Sequence, residues 1–286
     1  MISTHQNGDT LTVLLTARAI NPLSRLFQRE LAALLEQLEA RRARLAAVVI
    51  GFNTDNNALN HELEHLMALT PAQAADCMHM LGAYNALLRR LETLGLPVIA
   101  ALSGDVSGHA LGLALACHHR LALRGTRLSM PQVRLGLTPV CGAIARSVRL
   151  LGLPAALPLL LEGAVLTVGQ AQQMGLLHAV ASDETRMARL ISAVLNKPVW
   201  NQPWESADYR PPGDGSQAAA LRTLLQTAPA LLRERHGNAA PAAEAILCAM
   251  VEGLQVDFKN ALLIESRYFC QTALRASFST DLKRFL

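Results

Sequence analysis

The chain has 286 residues, of which 51% are hydrophobic, 17% charged and 4% aromatic. A chain of this length forms one large domain or two small ones, and its apolar share is sufficient for a large buried core without disulfides or metal. The net charge is only +4, and no basic run is longer than the pairs Arg41-Arg42 and Arg89-Arg90. This charge pattern excludes the basic surface that nucleic-acid-binding proteins carry.

The five cysteines are odd in number, widely scattered and without CxxC spacing, which predicts reduced thiols in a cytoplasmic protein. The N-terminal residues are polar where a secretory signal needs a basic and then an apolar run, so we expect no leader. No apolar stretch reaches the roughly 18 residues that a membrane span requires, so we expect no membrane partner. The cysteines are Cys77, Cys117, Cys141, Cys248 and Cys270.

Predicted strands and helices alternate in the N-terminal third of the chain. Apolar runs predict strands at residues 10–15, 46–50 and 97–102, and a polar loop is predicted at 51–57. Asn21-Pro22 and Thr70-Pro71 each combine a capping residue with a proline at the first helical position, so they predict the starts of two helices. Spacings of three and four predict one apolar face on the first helix, formed by Leu23, Leu26, Phe27, Leu31, Leu34, Leu35 and Leu38.

The order of these elements favours an α/β architecture with parallel strands. Further along the chain, a glycine-rich turn leads into a helix at 104–117. Strands are predicted at 121–123 and 127–130, and helices at 140–151 and from Leu166-Thr167 to about Gly175. Prolines, glycines and acidic residues predict a linker at 200–215. We therefore divide the chain into a core at 1–199, this linker, and a C-terminal helical region at 216–286.

Three motifs between Leu96 and Val180 read LPVIAALSGDVSGHALGLALACHHRLAL, RLSMPQVRLGLTPVCGAIARSVRLLG and LLLEGAVLTVGQAQQMGLLHAV. They resemble the signature region of the crotonase (enoyl-CoA hydratase/isomerase) superfamily. The segments NAAPAAEAILCAMVEGL and IESRYFCQTALRASFSTDLKRFL resemble the end of the hydratase region in multifunctional fatty-acid oxidation proteins. The resemblance thus extends over most of the chain.

The resemblance implies an α/β fold of the crotonase (ClpP-like) type, a spiral of ββα units with a C-terminal helical region. It also implies a homotrimer or a hexamer built from two trimers. The ligand would be a coenzyme A thioester, with no separate cofactor. Proteins of this superfamily stabilise a thioester enolate with two backbone N–H groups, because preorganised donors lower the barrier where charge develops.

Carried onto this sequence, the two backbone donors of the oxyanion hole fall at Glu62 and His109. The two glutamates that hold and deprotonate water in the hydratases fall at Gly112 and Gln132. Glycine can do neither task, and a glutamine can hydrogen-bond a water but cannot take its proton near neutral pH. Some family branches use an aspartate near position 140 instead, where this chain has a valine. We therefore expect no standard hydratase activity.

Two readings remain open. The chain is either a divergent enzyme, with a replacement acid or base, or a non-catalytic pseudoenzyme or partner subunit that binds an acyl thioester. Residues 61–65 read HELEH, which matches the HExxH zinc motif, but that motif requires a helix and this segment falls in a loop of the family fold, so we predict no metal site. His61, Glu62 and Glu64 are instead candidates for the replacement acid or base.

Cys141 is a further candidate, because it stands where a helix is predicted to begin. A helix N-terminus lowers the pKa of a thiol and can make it a nucleophile. The alternative is a small buried residue without a chemical role, since buried cysteines usually behave as small hydrophobes.

Overall fold

A six-stranded sheet and a three-stranded sheet frame the computed structural model, which describes residues 1–16, 19–53, 70–196, 200–213, 230, 234 and 240–276. The strands are β1 (Ile2–Asn7), β2 (Thr10–Thr16), β3 (Ala47–Asn53), β4 (Val98–Leu102), β5 (Asp105–Ser107), β6 (His119–Leu123), β7 (Arg127–Ser129), β8 (Leu166–Thr167) and β9 (Ala179–Ala181). The helices are α1 (Arg25–Arg41), α2 (Ala74–Glu92), α3 (Gly108–Leu115), α4 (Ala143–Leu151), α5 (Leu153–Leu161), α6 (Val168–Gln173), α7 (Glu184–Leu195), α8 (Ala240–Leu254) and α9 (Phe258–Ala276).

The larger sheet has the strand order β1-β2-β3-β4-β6-β9, and the smaller sheet the order β5-β7-β8. Only β1 runs antiparallel to its neighbour in the larger sheet as described, and the inner pairs are parallel. Val98, Ile99 and Ala100 of β4 are completely buried, as expected for a parallel strand covered on both faces. The α/β prediction is confirmed.

The strand β1 was not predicted from the sequence. Its residues are mostly exposed, because it forms the edge of the larger sheet and pairs only with β2 among the described strands. A strand whose side chains face water on both sides lacks the alternation of apolar and polar residues that identifies a half-buried strand. The sequence therefore carries no signal for it.

The first helix begins later than Asn21-Pro22 predicts. The side chain of Asn21 accepts a hydrogen bond from the N–H of Leu23 at 2.8 Å and forms a turn, whereas Ser24 caps the helix by accepting from the N–H of Phe27 at 3.3 Å. The predicted apolar face is confirmed by five buried residues, but Leu26 is 51% exposed and does not belong to it. The buried residues are Phe27, Leu31, Leu34, Leu35 and Leu38.

The second helix also begins after its predicted proline. Pro71–Gln73 forms a 3-10 turn, and the α-helix α2 starts at Ala74. The side-chain oxygen of Gln73 accepts from both the N–H and the hydroxyl of Thr70 at 2.9 Å, so the Thr-Pro pair starts a turn that leads into the helix.

The two C-terminal helices, α8 and α9, pack against each other and against helices of the core, mainly α2, α4 and α5. The described part of the predicted linker also contacts the core. The side-chain amide of Gln202 donates to the carbonyl oxygens of Ala116 and Cys117, and the Trp204 ring stacks on Phe258 with centroids 4.9 Å apart. The division into core, linker and helical region stays a prediction. None of the described helices combines the length and apolar composition that crossing a membrane requires.

Candidate functional site

The connection between β4 and α3 places His109 at the start of a helix. Gly104 and Gly108 have φ angles of 67° and 56°, in the left-handed region that glycine adopts without strain. They turn the chain from β4 through β5 into α3, whose first turn contains His109. Because the N–H groups in a helix's first turn have no intrahelical acceptor, a helix start offers donors to other groups.

Gly112 lies where α3 packs against the beginning of α4. A Cβ atom built on Gly112 would meet the Cβ of Ala143 at 3.7 Å, an ordinary van der Waals distance. Its backbone is helical, so no unusual φ angle demands glycine here. The position therefore accepts a Cβ atom, but the glycine brings no ionisable group.

Gln132 lies in the 3-10 turn Pro131–Leu135 and is 1% exposed. Its backbone oxygen accepts from the N–H of Leu137 at 3.0 Å, which fixes the turn. Its side-chain Oε1 is buried and has no hydrogen-bond partner among the residues that the structure describes. Buried polar atoms are nearly always paired. Gln132 is thus an unsatisfied acceptor that can hold a donor group but cannot serve as a base near neutral pH.

The turn before α4 places Cys141 in an unusual backbone conformation. Cys141 is buried and has a φ of 64°, and it is followed by Gly142 with a φ of 80°. A left-handed φ is strained for a residue with a Cβ atom, so surrounding contacts must hold it. The Arg146 Nη1 donates to the carbonyl oxygen of Cys141 at 2.8 Å. A Cβ atom on Gly142 would lie 1.9 Å from that Nη1, so only glycine fits beside the guanidinium.

Glu265 reaches from α9 to the start of α4. Its two carboxylate oxygens accept from the N–H of Gly142 at 2.8 Å and from the N–H of Ala145 at 3.0 Å. The carboxylate thus caps donors that have no intrahelical acceptor, in a position where the helix dipole favours negative charge. Burial nevertheless raises the pKa of Glu265 to about 7, outweighing the N–H donors and Arg146, which lower it.

Arg146 and Glu92 form an ion pair whose side chains are both 0% exposed. The Arg146 Nε donates to Glu92 Oε1 at 2.7 Å, and Arg89 donates to Glu92 Oε2 at 2.6 Å. Glu92 therefore holds two guanidinium groups, one of which supports the Cys141 carbonyl. We call Glu92, Arg146, Gly142 and Glu265 the brace, because they fix the start of α4 from two sides.

Tyr84 of α2 lies close to the same turn. Burial raises the pKa of Tyr84 well above its usual range, and the neighbouring Cys141 raises it further, whereas Arg146 lowers it. The Tyr84 hydroxyl has no hydrogen-bond partner among the described residues. The surroundings of Cys141 thus contain an un-ionised phenol and a guanidinium that is already engaged with Glu92 and a carbonyl.

A family model described as enoyl-CoA hydratase/isomerase matches residues 6–199. The chain belongs to the enoyl-CoA hydratase/isomerase family. The resemblance to the crotonase superfamily that the motifs indicated is confirmed.

The curated relatives of this family member are longer than the chain. The fatty acid oxidation complex subunit alpha of Shewanella amazonensis is 28% identical over 261 residues, which cover 91% of this chain and 36% of that protein. The protein of the same name from Vibrio parahaemolyticus is 28% identical over 290 residues, which cover 98% of this chain and 41% of that protein. The chain therefore spans about two fifths of the length of these relatives or slightly less.

Solved structures of the enoyl-CoA hydratase/isomerase type share the fold. An enoyl-CoA hydratase/carnithine racemase from Magnetospirillum magneticum is 25% identical with a TM-score of 0.56, covering 67% of this chain and 72% of that one. An enoyl-CoA hydratase from Bacillus anthracis is 20% identical with a TM-score of 0.55, covering 94% of this chain and 89% of that one. The predicted crotonase fold is confirmed.

The described part of this family member contains some of the predicted site residues. Gly112 lies beside Ala143, the first residue of α4, Cys141 lies in the turn that leads into α4, and His109 lies in the first turn of the helix that carries Gly112. The candidates His61, Glu62 and Glu64, with the rest of the HExxH segment, lie outside the described residues. Within the described residues, no group of three or more His, Cys, Asp or Glu side chains is arranged to hold a metal ion.

Sequence reasoning missed the brace and Tyr84. A signal for Glu265 existed: it shares its face of α9 with the buried residues Leu262 and Phe269, and a carboxylate on an apolar face needs a buried partner. Arg146 gives the same signal within α4, where nearly every residue is buried. Their partners are distant in sequence, so the sequence indicates that partners exist but does not identify them.

Proposed function

We propose that this chain binds an acyl-CoA thioester and is a divergent member of its family, without hydration by two carboxylates. The observation that carries the proposal is the pair of residues at the positions of the family glutamates. Gly112 has no side chain, and Gln132 is a buried amide whose Oε1 has no partner among the described residues. A site with these groups can position a ligand but cannot move the proton of a water through either position.

The N–H of His109 would supply one donor of the oxyanion hole, and the N–H of Glu62 the other. A backbone donor requires no particular side chain, so the histidine at this position leaves the donor intact. One donor of this kind lowers the barrier of acyl chemistry by about 3 kcal/mol where negative charge develops on the thioester oxygen. His61, Glu62, Glu64 and Cys141 are the candidates for acid, base or nucleophile in such a reaction.

The second candidate function is non-catalytic binding of an acyl thioester, as a pseudoenzyme or as a partner subunit. One observation favours it. The buried carboxylates of Glu92 and Glu265 beside the site are already engaged, with guanidinium groups and with helix N–H groups respectively. Both carboxylates therefore hold the framework instead of standing ready as a base, and the candidates for acid, base or nucleophile remain His61, Glu62, Glu64 and Cys141.

The names of the curated relatives support a role in fatty-acid metabolism. We further propose a cytoplasmic protein that assembles as a homotrimer or hexamer, as the family resemblance implies. Sedimentation equilibrium with and without a thioester tests the assembly, and a monomer at all concentrations would contradict it.

The test of function is mass-spectrometric turnover and calorimetric binding with a panel of saturated acyl-, enoyl- and malonyl-type CoA thioesters. We expect binding of at least one thioester and no hydration of the enoyl member. A defined product other than the hydrated thioester supports the divergent enzyme, whereas binding without any product supports the non-catalytic candidate. Absence of binding by every thioester would contradict the proposal.

A variant that restores both carboxylates shows whether the chain lacks only the catalytic groups of hydration or also an accessible acyl pocket. Gly112→Glu with Gln132→Glu introduces both family carboxylates, and the matched control Gly112→Gln keeps the native Gln132, so that it has the same side-chain shapes without charge. We expect hydration of an enoyl-CoA only in the carboxylate variant. Equal inactivity of the two variants, with both folded and neither binding a thioester, would contradict the acyl pocket proposed here.

A further inference from the structure

Two buried thiols meet between α2 and α9. The Cys270 S–H donates to the Cys77 sulfur at a sulfur–sulfur distance of 3.1 Å, and both cysteines are buried and unbonded. A disulfide bond is about 1 Å shorter than this separation. Small adjustments of two side chains would therefore bring the sulfurs to bonding distance.

We propose that Cys77 and Cys270 form a reversible disulfide through exchange with a small-molecule disulfide such as glutathione disulfide. The bond would join positions 193 residues apart and tie α9 to the first turn of α2. Cys270 follows Glu265 on α9, so the tie would hold the helix that caps the start of α4. Disulfides that form in cytoplasmic proteins are usually transient, with a catalytic or redox-sensing role.

The two thiols differ in acidity, and this difference determines which of them attacks the small-molecule disulfide first. The hydrogen bond from Cys270 lowers the pKa of Cys77, although burial opposes it, and the same interaction together with burial raises the pKa of Cys270. Because the thiolate is the attacking species, Cys77 reacts first. Its sulfur bonds to one sulfur of the small disulfide, whose S–S bond breaks and releases one thiol.

In the second step, Cys270 loses its proton and attacks the Cys77 sulfur, which releases the second small-molecule thiol. Two protein thiols are thereby oxidised to a disulfide, one small disulfide is reduced to two thiols, and the two protons pass to the released thiolates.

The other described cysteines are less suited to this reaction. Cys117 donates its S–H to the carbonyl oxygen of Leu113 in its own helix, and burial raises its pKa to about 12. Cys248 is exposed and has no sulfur partner within the described part of the chain. Cys141 interacts electrostatically with Cys270, which makes it the main competitor for that thiol.

Peptide mapping tests the pairing without any variant. The purified protein is equilibrated in its native state with glutathione buffers of graded ratio, alkylated and digested with trypsin, which cleaves after Lys and Arg. Each cysteine then lies on its own peptide, with Cys77 on 45–89, Cys141 on 135–146, Cys248 on 236–259 and Cys270 on 268–275. We expect peptide 268–275 joined to 45–89, and its release by dithiothreitol.

Thermal unfolding measures how much the disulfide stabilises the folded protein. We expect the oxidised protein to unfold on the order of 5 °C higher than the reduced protein, because the cross-link restricts a long loop in the unfolded chain. Cys77→Ser and Cys270→Ala should each abolish both the joined peptide and the shift, whereas the matched control Cys248→Ser should retain both. Peptide 268–275 joined to 135–146 or 236–259, glutathione adducts alone, or free thiols at the most oxidising ratio would overturn the proposal.

Discussion

The brace and the two family glutamate positions differ in the charge that their side chains carry. In the brace, Glu92, Arg146 and Glu265 are buried charged residues, and each makes hydrogen bonds of 3.0 Å or less, although the Nη2 of Arg146 has no partner among the described residues. At the family glutamate positions, Gly112 has no side chain and Gln132 has a buried oxygen without a partner among the described residues. The brace is therefore a charged, hydrogen-bonded framework, whereas the two positions that carry glutamates in the family hydratases are occupied by residues that cannot ionise.

This difference indicates that the fold requires the geometry at the start of α4 regardless of hydration chemistry. Buried charges cost several kcal/mol each in lost hydration, and only good hydrogen-bond geometry offsets this cost. The brace fixes the positive φ angles of Cys141 and Gly142, and with them the surface that Gly112 contacts. The described residues thus hold the backbone conformation of the turn before α4 without a carboxylate at either family position.

Alanine substitutions at Gly142 and Gly112 test this contrast most strongly. At Gly142 a Cβ atom would lie 1.9 Å from Nη1 of Arg146 and would also be strained at a φ of 80°. Gly142→Ala should therefore lower the free energy of unfolding by about 4 kcal/mol or more, since the guanidinium must leave its partners. Gly112→Ala should be neutral or stabilising by up to about 1 kcal/mol, because its Cβ atom meets Ala143 at an ordinary distance and alanine favours the helix.

Urea unfolding followed by circular dichroism measures both glycine variants. Gly82→Ala is the matched control, because Gly82 is helical and a Cβ atom there meets no described atom within 4 Å. Equal losses in the free energy of unfolding for Gly142→Ala and Gly112→Ala would contradict the distinction between the brace and the family glutamate positions.

The next largest loss of stability is expected when a charge is removed from the brace. Arg146→Met leaves Glu92 buried with Arg89 as its remaining cation, and it frees the Cys141 carbonyl. We expect a loss of about 3 kcal/mol in the free energy of unfolding. In the control Arg127→Met, an exposed pair with Asp105 is broken, and no measurable change is expected because water screens such pairs. A small loss for Arg146→Met would mean that the ion pair does not support the turn.

The sequence predicts the framework in outline because apolar periodicity is a local property. The face of α1 from Phe27 to Leu38 and the buried strand β4 were predicted from spacing and composition alone. The starts of α1 and α2 were misplaced by a few residues, since Asn21 and Thr70 stabilise turns with their side chains before the helices begin. Local polar groups can cap a turn or a helix, and the sequence does not distinguish the two.

The site was predictable only where motifs align. Gly112, Gln132 and His109 were identified by their positions in a family pattern. Glu265 and Arg146 were missed because their partners lie 120 residues or more and 54 residues away, respectively, in the sequence. These partners are brought together by the packing of α9 on α4 for Glu265 and of α2 on α4 for Arg146, which no local pattern encodes.

The charge of Glu265 predicts a pH dependence of stability. Its pKa is about 7 in the folded protein against a usual value of 4.5, so the folded state retains a proton that the unfolded chain releases. The stabilisation is complete below pH 4.5 and is lost as the pH rises through about 7. Glu265 should therefore lower the free energy of unfolding by about 2 kcal/mol between about pH 5 and pH 8.

The variant Glu265→Gln cannot ionise, so its free energy of unfolding should decline less than that of the wild type over this range. Burial lowers the pKa of His118, which acts in the opposite direction, so the difference between the two proteins isolates Glu265. Urea unfolding at a series of pH values measures it. Parallel curves would show that Glu265 ionises alike in the folded and unfolded states.

The smallest effect on stability is expected for a substitution at Gln132. Comparing it with the same substitution at Gln202 distinguishes a glutamine that supports the fold from one that faces the ligand. Gln132 and Gln202 are both 1% exposed, and the Oε1 of each has no partner within the described chain, but the amide nitrogen of Gln202 donates to the main-chain carbonyls of Ala116 and Cys117. Replacing a buried amide whose oxygen is unpaired by an apolar side chain of similar size should leave stability unchanged or raise it by about 1 kcal/mol, as in Gln132→Met. Gln202→Met should lower stability by about 2 kcal/mol, because it leaves buried carbonyls unpaired.

Thioester affinity should show the reverse order for these two variants. If the Gln132 amide receives a donor from the ligand or from a water beside it, Gln132→Met weakens binding by about tenfold, the equivalent of roughly one hydrogen bond, while Gln202→Met leaves it unchanged. Calorimetric titration with the best thioester of the panel measures both. A Gln132→Met protein that is destabilised and binds normally would place Gln132 in the framework with the brace, and the contrast between a charged framework and neutral family positions would then rest on Gly112 alone.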